Sequence, residues 1–389
     1  MVEDGFSELR KFVAPEFIFG AGAASLAGQY AANLSIKKPL VVTGPHLDAL
    51  GVSGRVIDSL TSEGLSSVLF SGVTPNPRDS EVMAGAEVFL QNGCDAIVAV
   101  GGGSPMDCAK AIGIVCTNDR HVLDFEGVDN VERPGPPLIC IPTTAGTAAD
   151  ISQFCIINAA ERKVKIAIVS KTMVPDVALI DPLLTMTMSE RLTAHTGLDA
   201  LTHATEAYAS NASSAITDLN ALEAVRLINK NLLTAVREPD NLEARTGMML
   251  ASTYAGLAFS NAILGAVHAM AHSLGGLLDL PHGLCNAILL DHVVEYNFDA
   301  ASEKYTKLGE ALGAHNPANA TPDDIKRNTL EVFRNLKRAV GVSDNLCELG
   351  MSPDDLPLLA ENALADACML TNPKQPSANE IMEILEKAC

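Results

Sequence analysis

"AIVAVGGGSPMDCAKAIG", residues 96–113, decides how the first half of the chain is read. Ala96 to Val100 is a short, continuous apolar run, as suits a strand buried on both faces. Gly101, Gly102 and Gly103 let the backbone turn sharply, and Ser104, Pro105 and Asp107 then fall at the N-cap, N1 and N3 positions of a helix. Such a turn presents free N–H groups and the positive end of a helix dipole, a setting for a phosphate. The stretch is not G-x-G-x-x-G, because residue 106 is Met, and it lacks the Gly-Lys-Ser/Thr of a Walker loop. A tight turn without a ligand is the plainer alternative, and the neighbouring loops weigh against it.

Outward from this stretch, further strands are expected at 39–44, 66–72, 137–144 and 177–182, with helices at 80–92 and 105–117 between them. Apolar strands alternating with helices predict a parallel, Rossmann-like sheet in an α/β domain. Two more strands end in polar loops. "IPTTAGTAAD" (141–150) carries Thr143, Thr144 and Thr147 around Gly146, hydroxyls suited to phosphate or ribose oxygens, and "TPNP" (74–77) presents Asn76. Ligands of open parallel sheets bind beyond the carboxyl ends of the strands, so these loops predict one dinucleotide crevice. After Asp181-Pro182 the strand runs vanish and helical periods fill the rest. The expected division is an α/β dinucleotide-binding domain over 1–186 and an all-α, metal-binding catalytic domain over 187–389.

Composition narrows the function. With 389 residues, 48% hydrophobic and 19% charged, the chain can bury two sizeable cores. A formal net charge of −20 opposes nucleic acid and anionic membrane surfaces as partners. Nine scattered cysteines, an odd number without a C-x-x-C pair, suit a reducing cytoplasm better than a disulfide framework. The start, "MVEDGFSELRKF", has acids and no apolar core of a leader, so neither export nor import is expected. Residues 246–278 contain no Asp, Glu, Lys or Arg, enough for the roughly 20 residues of a membrane span. Ser252, Thr253, Ser260, Asn261, two histidines and several glycines fit a helix buried inside a helical domain better.

The chemistry gathers in "GAVHAMAHSLGGLLDLPHG" (265–283), where His268, His272 and His282 stand among residues without one Lys, Arg or Glu. In "TGLDALTHATEAY" (196–208), Asp199 and His203 are four apart and so share a helix face, as do His268 and His272. His282 follows Pro281 at a helix end where Gly283 gives the backbone freedom. A carboxylate and several imidazoles form a nitrogen and oxygen set for Fe(II), Zn(II) or Ni(II). A lone histidine on an apolar face is more often a satisfied core residue, but unpartnered imidazoles in dry surroundings carry desolvation penalties that ligation removes. Spacing does not say which of His268, His272 and His282 stays outside the ligand set.

Together "GGGSPMDCAK", "PTTAGT", "TGLDALTHATEAY", "GAVHAMAHSLGG" and "LPHGLCNAILL" resemble the iron-containing (group III) alcohol dehydrogenases, the family of lactaldehyde reductase, 1,3-propanediol dehydrogenase and bacterial methanol dehydrogenase. The likeness runs from "FGAG" (19–22) to "NPKQPS" (372–377). It implies a site in the cleft between a nucleotide domain and a helical metal domain. By this resemblance the metal ligands are Asp199, His203, His268 and His282, with Fe2+, Zn2+ or another divalent ion. His272 remains beside the metal for proton transfer. Cofactor contacts fall on Gly44, Asn76, Gly101, Gly102, Gly103, Ser104, Asp107, Thr143, Thr144, Thr147 and Lys165, and Phe259 borders the substrate pocket. The implied reaction is hydride transfer between a small primary alcohol or diol and NAD(P), the metal acting as a Lewis acid on the alcohol oxygen. A cytoplasmic homo-oligomer is the implied setting.

Three departures from the family pattern stand out. In "LVVTGPHL" Gly44 replaces an acid expected to bond the ribose 2′-hydroxyl, which predicts acceptance of NADP(H), unless Asp48 or Asn76 supplies the contact. His195 stands one turn before Asp199 where Ala is usual, and Asp150 replaces Glu. Rival readings are a polyol (glycerol-type) dehydrogenase, a dehydroquinate-synthase-like lyase, or a metal store or sensor. A lyase for a phosphorylated acid calls for Lys and Arg, absent from 192–204 and 246–292, and a metal store has no use for the nucleotide loops.

Overall fold

The computed structural model describes residues 11–389, so most of the expected leader-free start, residues 1–10, lies outside the described residues. The strands are β1 (Glu16–Phe19), β2 (Pro39–Val42), β3 (Val68–Phe70), β4 (Ala96–Gly101), β5 (Gly127–Val128), β6 (Leu138–Pro142), β7 (Phe154–Ala159), β8 (Val164–Val169) and β9 (Val177–Ile180). Six of them form one parallel sheet in the order β1-β9-β6-β4-β2-β3. Helices α1 (Ala27–Asn33), α2 (Pro45–Ala49), α3 (Val52–Ser62), α4 (Asp79–Gln91) and α5 (Gly103–Asn118) alternate with its strands.

Alternate residues of each central strand enter different cores, which is why these runs are apolar throughout. Val41, Val98, Val100, Ile139 and Ile141 pack on one face with residues of α1 and α3. Leu40, Val42, Ile97, Ala99, Leu138 and Cys140 pack on the other with residues of α4 and α5. The sequence reading did not include β1, an edge strand in register with β9 (Glu16 opposite Val177), or the small sheet β5-β8-β7, whose β7–β8 pairing is antiparallel.

Beyond β9 a 3-10 segment, Pro182–Thr187, leads into α6 (Glu190–Ala209), α7 (Ala215–Arg237), α8 (Leu242–Ala262), α9 (Ala266–Leu278), α10 (His282–Asn297), α11 (Ser302–Ala311), α12 (Pro322–Ala339), α13 (Leu356–Ala365) and α14 (Ala378–Lys387). Ser189 caps α6 by accepting from the Leu192 N–H. Small residues let α6, α7 and α8 approach closely: a Cβ on Gly197 would lie 2.2 Å from Leu232 Cδ1, and one on Gly247 2.4 Å from Asn231 Cγ.

Three expectations need correction. The uncharged run is not one helix: α8 ends at Ile263, a β-branched residue at φ 64° and ψ −170°, and α9 leaves at a 99° bend. Among the described residues no single helix is long and apolar enough to cross a membrane. Helix α5 begins at Gly103 with Gly102 as N-cap, so Ser104, Pro105 and Asp107 sit two places deeper than expected. Gly101 and Gly102 make the whole turn, with Gly101 at φ 155°, where a Cβ would lie 2.6 Å from Pro105 Cγ. Finally, Cys347 and Cys389 are joined by a disulfide, because the end of α14 returns to the 345 loop and Ala388 O accepts from the Leu346 N–H. The remaining seven cysteines are free, six of them buried.

Candidate metal centre and nucleotide crevice

The loops after β2, β3, β4 and β6 leave the sheet at its carboxyl edge, and chain direction across the sheet reverses between β2 and β4. There the glycine turn and the threonine loop interlock. A Cβ on Gly102 would lie 3.1 Å from Thr144 and one on Gly103 3.1 Å from Thr147, so a side chain at either place would press on the threonine above it. Thr143 is buried and its N–H donates to Gly101 O. Gly44 caps α2 in an extended conformation. Asn76, at φ 56°, accepts from Lys165 Nζ at 2.7 Å and donates to Asp279 Oδ1 at 2.8 Å, and Arg78 reaches the other Asp279 oxygen at 3.3 Å. This bridge ties the nucleotide-side loop to the turn that leads into His282. Burial pulls the Lys165 ammonium below its usual range and pushes the Asp107 carboxyl up to about 6.

Across the same cavity, Asp199 and His203 from α6, His268 from α9 and His282 from the start of α10 bring four donor atoms within 4.8 Å of one another. His282 opens a helix rather than closing one. Gly283 serves close packing instead of backbone freedom, since a Cβ there would lie 2.6 Å from His195 O. Two of the donors are held from behind. His203 Nδ1 lies 3.2 Å from Gly146 O, and a carbonyl only accepts, so this nitrogen keeps the proton and Nε2 offers its lone pair. His268 Nδ1 lies 2.5 Å from Glu206 Oε2, while the other Glu206 oxygen accepts from the Val267 N–H at 2.7 Å. Asn286 Nδ2 donates to Asp199 Oδ1 at 2.6 Å and lies 3.1 Å and 3.2 Å from Nε2 of His268 and His282.

Burial dominates the electrostatics. It lowers His203 to about 4 and His268 to about 3, and holds His282 well below the ordinary histidine range, so the rings are neutral at neutral pH. It also raises Glu206 to about 7. One carboxylate and three neutral imidazoles in dry surroundings fit a divalent transition ion. Glu206→Ala is expected to weaken the cluster's affinity for such an ion by about 10- to 100-fold, with Glu206→Gln restoring part of it, as read by competition with a chromogenic chelator.

His272 stays out of this group and joins a second one with Asp366 and Cys368. Its Nδ1 lies 2.8 Å from Asp366 Oδ2, and Asp366 Oδ1 accepts from the Cys368 N–H at 2.8 Å. Phe259 does border the cavity, its ring stacked 4.3 Å from that of His203. His195 is buried one turn before Asp199 and is absent from the donor cluster. Asp150 is buried, and desolvation raises it to about 6. Sequence reasoning passed over Glu206, three residues after His203, and Asn286, four after His282, although both spacings mark shared helix faces. Asp366, 94 residues from His272, left no such signal.

A parallel α/β sheet with a nucleotide-type crevice, facing a buried carboxylate and imidazole cluster on helices, defines a metal-dependent oxidoreductase. Residues 14–182 match the profile described as iron-containing alcohol dehydrogenase, and residues 193–389 match the C-terminal part of the Fe-containing alcohol dehydrogenase family. The chain belongs to this iron-containing alcohol dehydrogenase family and is a metal-dependent alcohol/aldehyde oxidoreductase. It is 42% identical over 372 residues to the 1,3-propanediol dehydrogenase of Citrobacter freundii, covering 95% of this chain and 96% of that one. It is 37% identical over 377 residues to the NAD-dependent methanol dehydrogenase of Bacillus methanolicus, covering 97% and 99%. The crystal structure of a 1,3-propanediol oxidoreductase superposes with a TM-score of 0.94 at 41% identity, covering 98% of this chain and 100% of that chain.

Proposed function

We propose that this enzyme interconverts small primary alcohols and aldehydes, with Asp199, His203, His268 and His282 holding a divalent ion, Fe2+ first among the candidates. Residues 1–186 form the nucleotide-binding part and 187–389 the metal-binding part, in a cytoplasmic homo-oligomer. The observation that carries this reading is a single cavity lined both by Gly103, Ser104 and Thr147 of the nucleotide loops and by His203, His268 and His282. A divalent ion held by these four residues would supply Lewis acidity to the alcohol oxygen, and a nicotinamide held in the crevice would supply the hydride acceptor or donor.

The chain's own residues do the rest. The Gly101–Gly103 turn and Thr143, Thr144 and Thr147 receive the dinucleotide's phosphates and ribose, with Asn76, Asp107 and Lys165 beside them. Phe259 shuts water away from the His203 side of the donor cluster. His272, with Nδ1 held by Asp366, moves the hydroxyl proton through Nε2. The deciding experiment is a panel of alcohols and aldehydes with the metal content measured by mass spectrometry. Alcohol-dependent reduction of NAD+ or NADP+ that requires bound metal supports the reading, and a metal-loaded protein inert to every substrate ends it.

The nucleotide preference follows from Gly44. Asp48 accepts from Ser53 Oγ at 2.6 Å with one carboxylate oxygen, and both ends of the Asn76 amide are held, by Lys165 and Asp279, so the expectation rests on the carboxylate missing at Gly44 itself. NADPH is therefore expected to support turnover with kcat/KM near or above that of NADH. A preference for NADH of about a hundredfold would overturn this, since that is what roughly 2.7 kcal/mol of discrimination delivers.

A further inference from the structure

We infer that the pocket selects primary alcohols and aldehydes with a plain hydrocarbon tail and disfavours the same chain ending in a second hydroxyl. The inference rests on the alcohol dehydrogenase reading above and names the substrate class within it. Phe259, stacked on His203, begins an apolar wall directly beside the donor cluster. Phe154 continues it with ring centroids 5.7 Å apart and tilted by 56°, and Leu264 and Ile156 complete it. Phe154, Phe259 and Leu264 are all buried, so the wall is set by packing rather than by mobile side chains. Leu264 owes its place to Ile263, whose left-handed φ of 64° breaks the chain between α8 and α9.

Several polar groups of the same cavity are already engaged. Asn76 and Lys165 bond each other, and the Nδ1 atoms of His268 and His272 face carboxylates. Asn158 Oδ1 is buried without a partner, but Asn158 lies four residues from Phe154 along β7, about 13 Å at strand rise, and pairs with Lys165. A tail hydroxyl laid against the phenylalanine rings would lose its water and gain no acceptor from those rings.

The test compares 1-butanol with 1,3-propanediol, equal in heavy atoms and differing by a methyl for a hydroxyl. With the metal-loaded enzyme, kcat/KM per reacting hydroxyl is expected to favour butanol by about 10- to 100-fold, the usual reach of an apolar pocket against an added hydroxyl. Phe154→Ser should bring the two within about threefold, and Phe154→Leu should keep the preference. A wild-type ratio within about threefold of unity, as would follow if the Ser152 hydroxyl served the diol, overturns the inference. So does an unchanged ratio in Phe154→Ser with native circular dichroism. If neither alcohol nor any other in the panel reduces either cofactor, it is the underlying enzyme assignment that has failed.

Discussion

Asp199→Ala is expected to yield a folded protein that retains no divalent ion after desalting and oxidises alcohols at least about 10^3-fold more slowly than wild type. The size follows from what a bound ion contributes to a developing alkoxide, several kcal/mol, with each 1.36 kcal/mol worth about tenfold in rate. Asp199 is the only carboxylate of the four-donor cluster and is the acceptor for Asn286 at 2.6 Å. Its loss removes the negative charge that offsets the cation and leaves the Asn286 N–H groups turned towards lone pairs of His268 and His282. Asp199→Asn separates charge from shape, keeping the side chain's size while removing the charge. Metal analysis alongside kcat reads both effects, and a variant with full metal and full turnover would remove Asp199 from the ligand set. Exhaustive chelation of the wild-type enzyme should reproduce the loss, and added Fe2+ should reverse it.

His272→Phe is expected to retain metal yet lose about 10^2-fold or more in kcat, the low end of what a positioned general acid or base contributes. The ring sits 5.3 Å from that of His282 and stacked upon it, so phenylalanine can fill the same space. What disappears is the Asp366-anchored imidazole, and with it the Nε2 proposed to pass the proton. Asp366 would then keep a buried carboxylate without its partner, so the variant is also expected to lose some thermal stability. Asp366→Ala supplies the matching control, because it leaves the imidazole present but removes the acceptor that orients it. Unchanged turnover and an unchanged pH profile in His272→Phe with metal bound would dismiss the relay.

Much of the framework is legible in the chain because it is written in local rules. Continuous apolar runs mark β2, β4, β6 and β9, the alternate residues of β2, β4 and β6 feeding two cores, and the spacing of four marks Asp199 with His203. Other features depend on partners far along the chain. Strand β1 becomes recognisable only when paired with β9, about 160 residues later. The bend at Ile263 contradicts an uninterrupted apolar pattern, since strain at one residue is decided by what packs around it. Helix α5 starts early because Gly101 and Gly102 pack under Pro105 and Thr144, a fact of three-dimensional crowding. The Cys347–Cys389 bond joins residues 42 apart that no motif connects. The same limit kept Asp366 from view until α13 was seen to deliver it to His272.

The contact between His203 Nδ1 and Gly146 O joins an imidazole of the donor cluster on α6 to the threonine loop after β6, the loop proposed above for the dinucleotide. A fragment of residues 187–389 alone would carry all four donors but lack the carbonyl that fixes one of them, leaving that ring free to swap tautomers and rotate. Severed halves of this enzyme should therefore regain tight ion retention only on reassociation, so the lone helical half is a poor starting point for a minimal metalloprotein scaffold.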